Sequence, residues 1–134
     1  MNPKNTNKLF EDFPELYVGK DKPLTENLMA FGFECMDGWF DLIYELSGKI
    51  VELDPKCEAI QVKEKFGLLR FYVGPTTIEI LDLREDYEDM SSGICESCGS
   101  TEGVSQTKRG WITTLCKKCM EEKGIDPSLI EENE

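Results

Sequence analysis

Residues 59–74 read AIQVKEKFGLLRFYVG. Ile60, Val62 and Phe66 fall on alternate positions, the chain reverses near Gly67, and Leu69, Phe71 and Val73 resume the alternation. A period of two lines residues up on one face of a strand, and glycine supplies the positive φ that a tight reversal needs. The stretch therefore predicts a β-hairpin over about 59–73. Upstream, Trp39, Leu42, Ile43, Leu46, Ile50 and Leu53 recur at intervals of three and four. This predicts a helix over about 38–53, with Asp37 as its N-cap and Asp54-Pro55 as its stop. Downstream, Thr76 and Glu79 have the spacing of a capping box, and a second helix is expected over about 76–90. Ile80, Leu83, Tyr87 and Met90 share one of its faces, with Asp82, Glu85, Asp86, Glu88 and Asp89 pointing elsewhere, before Ser91-Ser92-Gly93 ends it.

The N-terminal stretch carries Phe10, Phe13, Leu16 and Tyr17 around Pro14, the pattern of a short helix breaking into a turn whose aromatics cap a core. Leu24, Leu28, Met29, Phe31 and Phe33 follow, read as a short helix and an extended segment with bends at Gly32 and Gly38.

Four of the six cysteines form Cys95-x2-Cys98 and Cys116-x2-Cys119, separated by seventeen residues. A two-residue gap lets both sulfurs of a tight turn converge on one ion, and two such turns complete a tetrahedron, so the pattern predicts one Zn2+. Gly103 to Thr107 and Trp111 to Leu115 would be the strands of a zinc ribbon, joined by Lys108-Arg109-Gly110. The alternatives are two disulfides, which an intracellular setting disfavours, or four unrelated buried thiols. Four thiolates fill the coordination sphere and leave no position for water or substrate, so the ion is expected to be structural. Cys35 and Cys57 stand apart and read as small buried apolar side chains rather than redox or nucleophilic thiols. The expected architecture is α+β: a helix-plus-hairpin domain over 1–92, an appended zinc ribbon over 93–124 and an acidic tail over 125–134.

Composition narrows the function. The 134 residues include 15 Lys and Arg against 27 Asp and Glu, a net charge of -12, and no histidine. The absence of histidine removes Ser-His-Asp and Cys-His nucleophiles, imidazole ligands and the usual base near neutral pH. Mean hydropathy is -0.39 and no apolar run approaches the ~18 residues a bilayer crossing needs. The opening MNPKNTNKLFEDFPE lacks the basic-then-apolar layout of a signal peptide, so a cytoplasmic location is expected. Asp37 and Asp41, four apart on a helix, are the best pair for Mg2+ or acid-base work, but their simpler roles are cap and exposed helix charge. An enzyme is not expected, nor is a small-molecule substrate.

Three blocks together carry a resemblance: FGFECMDGWFDLI at 31–43, QVKEKFGLLRFYV at 61–73, and ICESCG with RGWITTLCKKC within 94–119. They resemble a family of small proteins encoded by bacteriophages and prophages, with a GW-led helix, a KEKFG-x-LRFY hairpin and a C-terminal Cys-x2-Cys module. Related sequences can place a histidine as a late ligand where this chain has Cys119. The resemblance implies a phage origin and the cytoplasm of a bacterial host, and it carries no established activity. Small acidic proteins of phages resemble accessory factors that bind host proteins, including inhibitors of bacterial immunity, an analogy of kind rather than of site.

Two binding surfaces compete. Asp82, Glu85, Asp86, Glu88 and Asp89, with Glu131, Glu132 and Glu134, suit a basic protein surface, although solubility alone accounts for such charge. Lys63, Lys65, Arg70 and Tyr72 on the hairpin, with Lys108, Arg109, Trp111, Lys117 and Lys118 on the ribbon, suit phosphates and stacked bases. The overall negative charge repels a polyanion at long range. The expected function is therefore a non-catalytic protein that binds a host or phage protein, with nucleic-acid binding as the alternative.

Overall fold

The computed structural model describes residues 1–107 and 112–125. Lys108, Arg109 and Trp111 of the expected basic patch, and the tail from residue 126, lie outside the described residues. The elements run α1 (Pro3–Asp12), β1 (Phe33–Glu34), α2 (Phe40–Leu53), β2 (Ala59–Lys65), β3 (Leu68–Val73), α3 (Ile78–Met90), β4 (Val104–Gln106), β5 (Thr114–Cys116) and α4 (Lys117–Glu122), an α+β fold.

The hairpin of β2 and β3 is the frame. Its reversal is a two-residue loop in which both Phe66 (φ 55°) and Gly67 (φ 81°) are left-handed. Such a loop matches the right-handed twist of the flanking strands. Glycine takes this conformation freely, whereas phenylalanine rarely does. The Gly67 amide donates to Glu64 Oε2 at 2.8 Å, tying the loop to β2.

Alternation in β2 differs from the expected pattern. Ala59 pairs with Val73 and Gln61 with Tyr72, which leaves Ile60 as an extra residue in a bulge. A bulge shifts the face on which later side chains lie. Ala59 and Val62 are buried, Ile60 is half-buried, and Phe66 is 65% exposed at the loop. On β3, Leu69 and Phe71 are buried as expected, while Val73 is half-buried.

β1 lies in the segment expected to be extended after the bend at Gly32 and adds a third strand, parallel to β2 with Phe33 opposite Val62 and Glu34 opposite Lys63. In the same core as the sheet's Val62, Leu69 and Phe71, α2 buries Leu42, Ile43, Leu46 and Ile50. Its first turn corrects the expected cap. Residues Asp37–Trp39 form a 3-10 turn, and Trp39 stands at the N-cap position without a side-chain bond. Asp37 Oδ1 instead accepts from the Asn2 amide (2.8 Å) and Asn5 Nδ2 (3.1 Å), holding α1 beside this turn. The aromatics after α1 do enter the core: Tyr17 stacks edge-on to Phe33 at 5.0 Å, and its hydroxyl meets Ser47 Oγ at 2.6 Å.

α3 also starts later than expected. Thr77 is its cap and accepts from the Ile80 amide, whereas the Thr76 hydroxyl donates to Asp54 Oδ2 at 2.9 Å. With Thr77 as cap the third helical residue is Ile80, so no reciprocal box with Glu79 forms. Met90 is 48% exposed, and Glu88, expected on the solvated side, is 5% exposed. The reason is the open edge of β3. Among the described residues no strand neighbours its outward amides at Leu69 and Phe71, and Ser91 Oγ (2.9 Å) and Glu88 Oε2 (2.7 Å) accept from them. Side chains of the helix end thus cover a strand edge that would otherwise be unpaired. Arg84 Nη1 donates to Glu88 at 3.3 Å and Arg70 lies 3.9 Å away, so the buried carboxylate also has charged company.

Candidate metal centre

The first cysteine pair sits on a loop closed by backbone bonds. The Cys95 amide donates to the Ser100 carbonyl at 2.8 Å and the Gly99 amide to the Cys95 carbonyl at 2.9 Å. Gly99 takes φ 83°, and a side chain there would be strained. The second pair uses a different device. Cys116 ends β5 and caps α4, and its Sγ accepts from the Cys119 amide at 3.4 Å. The Cys98 amide points in the same way at Cys95 Sγ, at 3.5 Å. In each pair an N–H is directed at sulfur, which favours negative charge on that atom.

These turns bring the Sγ atoms of Cys95, Cys98, Cys116 and Cys119 within 4.8 Å of one another. Cys98 and Cys116 are 3.7 Å apart, and all four are free thiols. A tetrahedral ion with metal–sulfur bonds of about 2.3 Å requires sulfur–sulfur edges of roughly 3.8 Å, whereas a disulfide requires about 2.05 Å. The donor set fits a thiophilic divalent ion such as zinc. Burial opposes ionisation of Cys95, but the amides of Cys116, Cys98 and Ser97 outweigh it and bring the thiol down to about 7. Cys95, Cys116 and Cys119 are buried and Cys98 is exposed. Leu115 and Met120 complete a small core around them, with Met36, Val104 and Ile125 at its margin.

Hydrogen bonds join the cysteine-bearing segment to the helix–hairpin body on two sides. The Met36 amide donates to Glu96 Oε2 (3.0 Å), the Gly38 amide to the Glu96 carbonyl (2.7 Å) and the Trp39 indole to the Ile94 carbonyl (2.9 Å). On the other side Thr114 Oγ1 donates to the Gly67 carbonyl at the hairpin loop. Glu96 was not a sequence candidate. It is 3% exposed, its Oε1 has no partner among the described residues, and burial pushes its carboxyl up to about 7. The GW pair at 38–39 was the available signal, since a glycine beside a buried tryptophan marks a close approach of backbone.

The hairpin candidates do share a face. Lys63 is paired with Arg70, Gln61 with Tyr72 and Lys65 with Leu68, and directly opposite residues of an antiparallel pair point the same way. This outer face is not purely basic. Glu34 lies opposite Lys63 and accepts from Gln61 Nε2 at 3.0 Å, and Arg70 leans on Glu88. Lys117 and Lys118 are exposed on α4. Cys35 and Cys57 are buried, and burial pushes the Cys35 thiol up to about 12, the behaviour of a packing residue. Among the described residues no helix is long and apolar enough to cross a membrane. No family model, curated protein or solved structure matches the chain.

Proposed function

We propose that this chain is a non-catalytic binding protein whose four cysteines hold one structural Zn2+ and whose target is another protein. The observation that carries this reading is the outer face of α3. Glu79, Asp82, Glu85, Asp86 and Asp89 are all exposed. At 3.6 residues per turn they occupy an arc of about 120°, with Asp82 near its centre and Ile78 inside one edge of it. None of the five has an ion-pair partner among the described residues. Carboxylates three and four apart repel one another and weaken the helix, a cost that a basic partner surface would reverse. Ile78 is 76% exposed, and an apolar anchor within a charged rim is the usual composition of a protein interface. The closed sulfur site leaves no coordination position for a substrate and serves to order the ribbon. On the phage resemblance, the target in this reading is a host or phage protein in the cytoplasm of an infected or lysogenic bacterium.

A test compares capture from host lysate by the wild-type chain and by a Glu79→Gln, Asp82→Asn, Asp86→Asn variant, at low and high salt. The expected result is a stoichiometric protein partner lost in the variant and weakened by salt, with zinc content unchanged. Retention of the same partner by the variant refutes the α3 surface.

The shared face of Lys63, Lys65, Arg70 and Tyr72 favours the second reading, nucleic-acid binding. A shift of DNA or RNA at physiological salt that Lys63→Glu with Lys65→Glu abolishes decides for it.

A further inference from the structure

We propose that Cys98 is an oxidant-sensitive thiolate and Cys116 its resolving partner, so that a peroxide converts the metal-clamped ribbon into a disulfide-linked, metal-free form. The proposal rests on the zinc reading above. Its ground is an asymmetry within the cluster. Three of the cysteines are buried, at 0% for Cys95 and 5% for Cys116 and Cys119, while Cys98 is exposed. Susceptible cysteines combine thiolate character with solvent access and a resolving thiol nearby, and metal coordination supplies the first. Cys116 Sγ supplies the third at 3.7 Å. Contraction by roughly 1.7 Å brings the pair to bonding distance. Cys98 is followed by Gly99, whose backbone tolerates rearrangement better than any other residue's.

The chemistry balances with hydrogen peroxide as oxidant. The Cys98 thiolate attacks one peroxide oxygen, an S–O bond forms, the O–O bond breaks and hydroxide leaves. Sulfur has lost two electrons and peroxide has gained two. The Cys116 thiolate then attacks the Cys98 sulfur, the S–S bond forms, the S–O bond breaks and a second hydroxide departs. Two protons convert both hydroxides to water. Two of the four donors are consumed, and Cys95 and Cys119 alone do not fill a tetrahedron. The displacement that closes the disulfide reaches the contacts that seat the first cysteine loop, among them the bond from the Trp39 indole to the carbonyl of Ile94, one residue before Cys95.

The test treats the reduced, zinc-loaded chain with graded hydrogen peroxide. It follows zinc release with a chromogenic chelator and maps disulfides and unreacted thiols by mass spectrometry. The expected result is one zinc released per Cys98–Cys116 disulfide, Cys98 being the first thiol lost, with both changes reversed by a reductant plus Zn2+. In a Trp111→Phe background, Trp39 emission should shift in step with release. Release accompanied by a Cys95–Cys98 linkage, prior oxidation of Cys35 or Cys57, or retention of zinc while peroxide modifies methionines overturns the proposal and leaves the zinc reading standing. Material without stoichiometric metal before peroxide is added overturns both.

Discussion

The Gly38 amide donates to the Glu96 carbonyl at 2.7 Å, and the two backbones pass so closely that no side chain fits between them. A Cβ on Gly38 would lie 2.1 Å from the Cys95 carbonyl oxygen and 2.5 Å from that of Glu96. Gly99, on the same knuckle, comes against the Gly38 carbonyl from the other side, at 3.1 Å from its own would-be Cβ. The first metal-ligand loop is therefore seated on the entrance to α2, and the order of the site and the order of the core are mechanically linked.

Gly38→Ala should lower stability by about 1–3 kcal/mol, the range for forcing a methyl group into packed surroundings. Here the obstructing atoms are backbone, so relaxation must move the knuckle itself. Chemical denaturation of the zinc-loaded chain checks the stability, and chelator competition should show weakened metal retention. Gly93→Ala is the control: among the described residues nothing lies within 4 Å of its would-be Cβ, and it should be close to neutral.

Cys98→Ser should lose the metal and make residues 93–124 sensitive to protease, while α2 keeps its helical signal. Zinc coordination supplies on the order of 10 kcal/mol to peptides of this kind, and the ribbon's own core of Cys95, Leu115, Cys116, Cys119 and Met120 is too small to replace it. The helix–hairpin body has a separate and larger core, from Leu9 to Tyr87, which should keep α2 folded when the ion is lost even though the seat of the first loop loosens. Elemental analysis with limited proteolysis reads both outcomes. A protected ribbon in a metal-free variant would contradict the structural role.

What could be read from the sequence was local. Gly67 within alternating apolar residues announces a reversal, and two Cys-x2-Cys pairs announce convergent sulfurs, because each signal is complete within a few residues. The extended run after Gly32 was legible in the same local way, but its pairing was not, since Phe33 and Glu34 become a strand only by meeting Val62 and Lys63. Glu88 was misread for the same reason. In a run of acids it resembles its solvated neighbours, and what buries it is an unpaired Phe71 amide seventeen residues earlier. The seat of the knuckle on Gly38 is likewise a contact between segments far apart in the chain.

The link between α1 and α2 should carry a pH signature. Hydrogen bonds from Tyr44 and Lys8 hold the Asp12 carboxyl below its usual 3.8. A depressed carboxyl contributes stability that is fully present above the unfolded value and is lost as pH falls through the folded one. Asp12→Asn keeps an acceptor for Tyr44 but cannot titrate. The stability advantage of wild type over this variant should therefore shrink as pH falls from 3.8 through the depressed value. The same bond raises the Tyr44 phenol above its usual 10.0, so its contribution is present below 10.0 and lost as pH rises through the raised value. Denaturation midpoints across both windows check the signs, and an advantage that grows on acidification would refute the assignment.

Glu88→Ala should be among the most damaging single changes in the helix–hairpin body. The carboxylate is 5% exposed and accepts from the Phe71 amide at 2.7 Å, the bond that closes the free edge of β3. Truncation leaves that buried N–H without a partner, at a cost of about 1–3 kcal/mol. It also strips the Arg84 guanidinium of its carboxylate while Arg84 Nε already lacks a partner among the described residues. Arg70 and Arg84 keep about a third of their side chains in water, which softens the loss of charge but not the loss of the amide's acceptor. Glu88→Gln preserves an acceptor of the same length and should recover part of the difference. Hydrogen exchange at Phe71 separates the two contributions. Its protection should fall sharply in Glu88→Ala and only modestly in Glu88→Gln, and equal protection in both would mean that the strand edge is held by something other than this carboxylate.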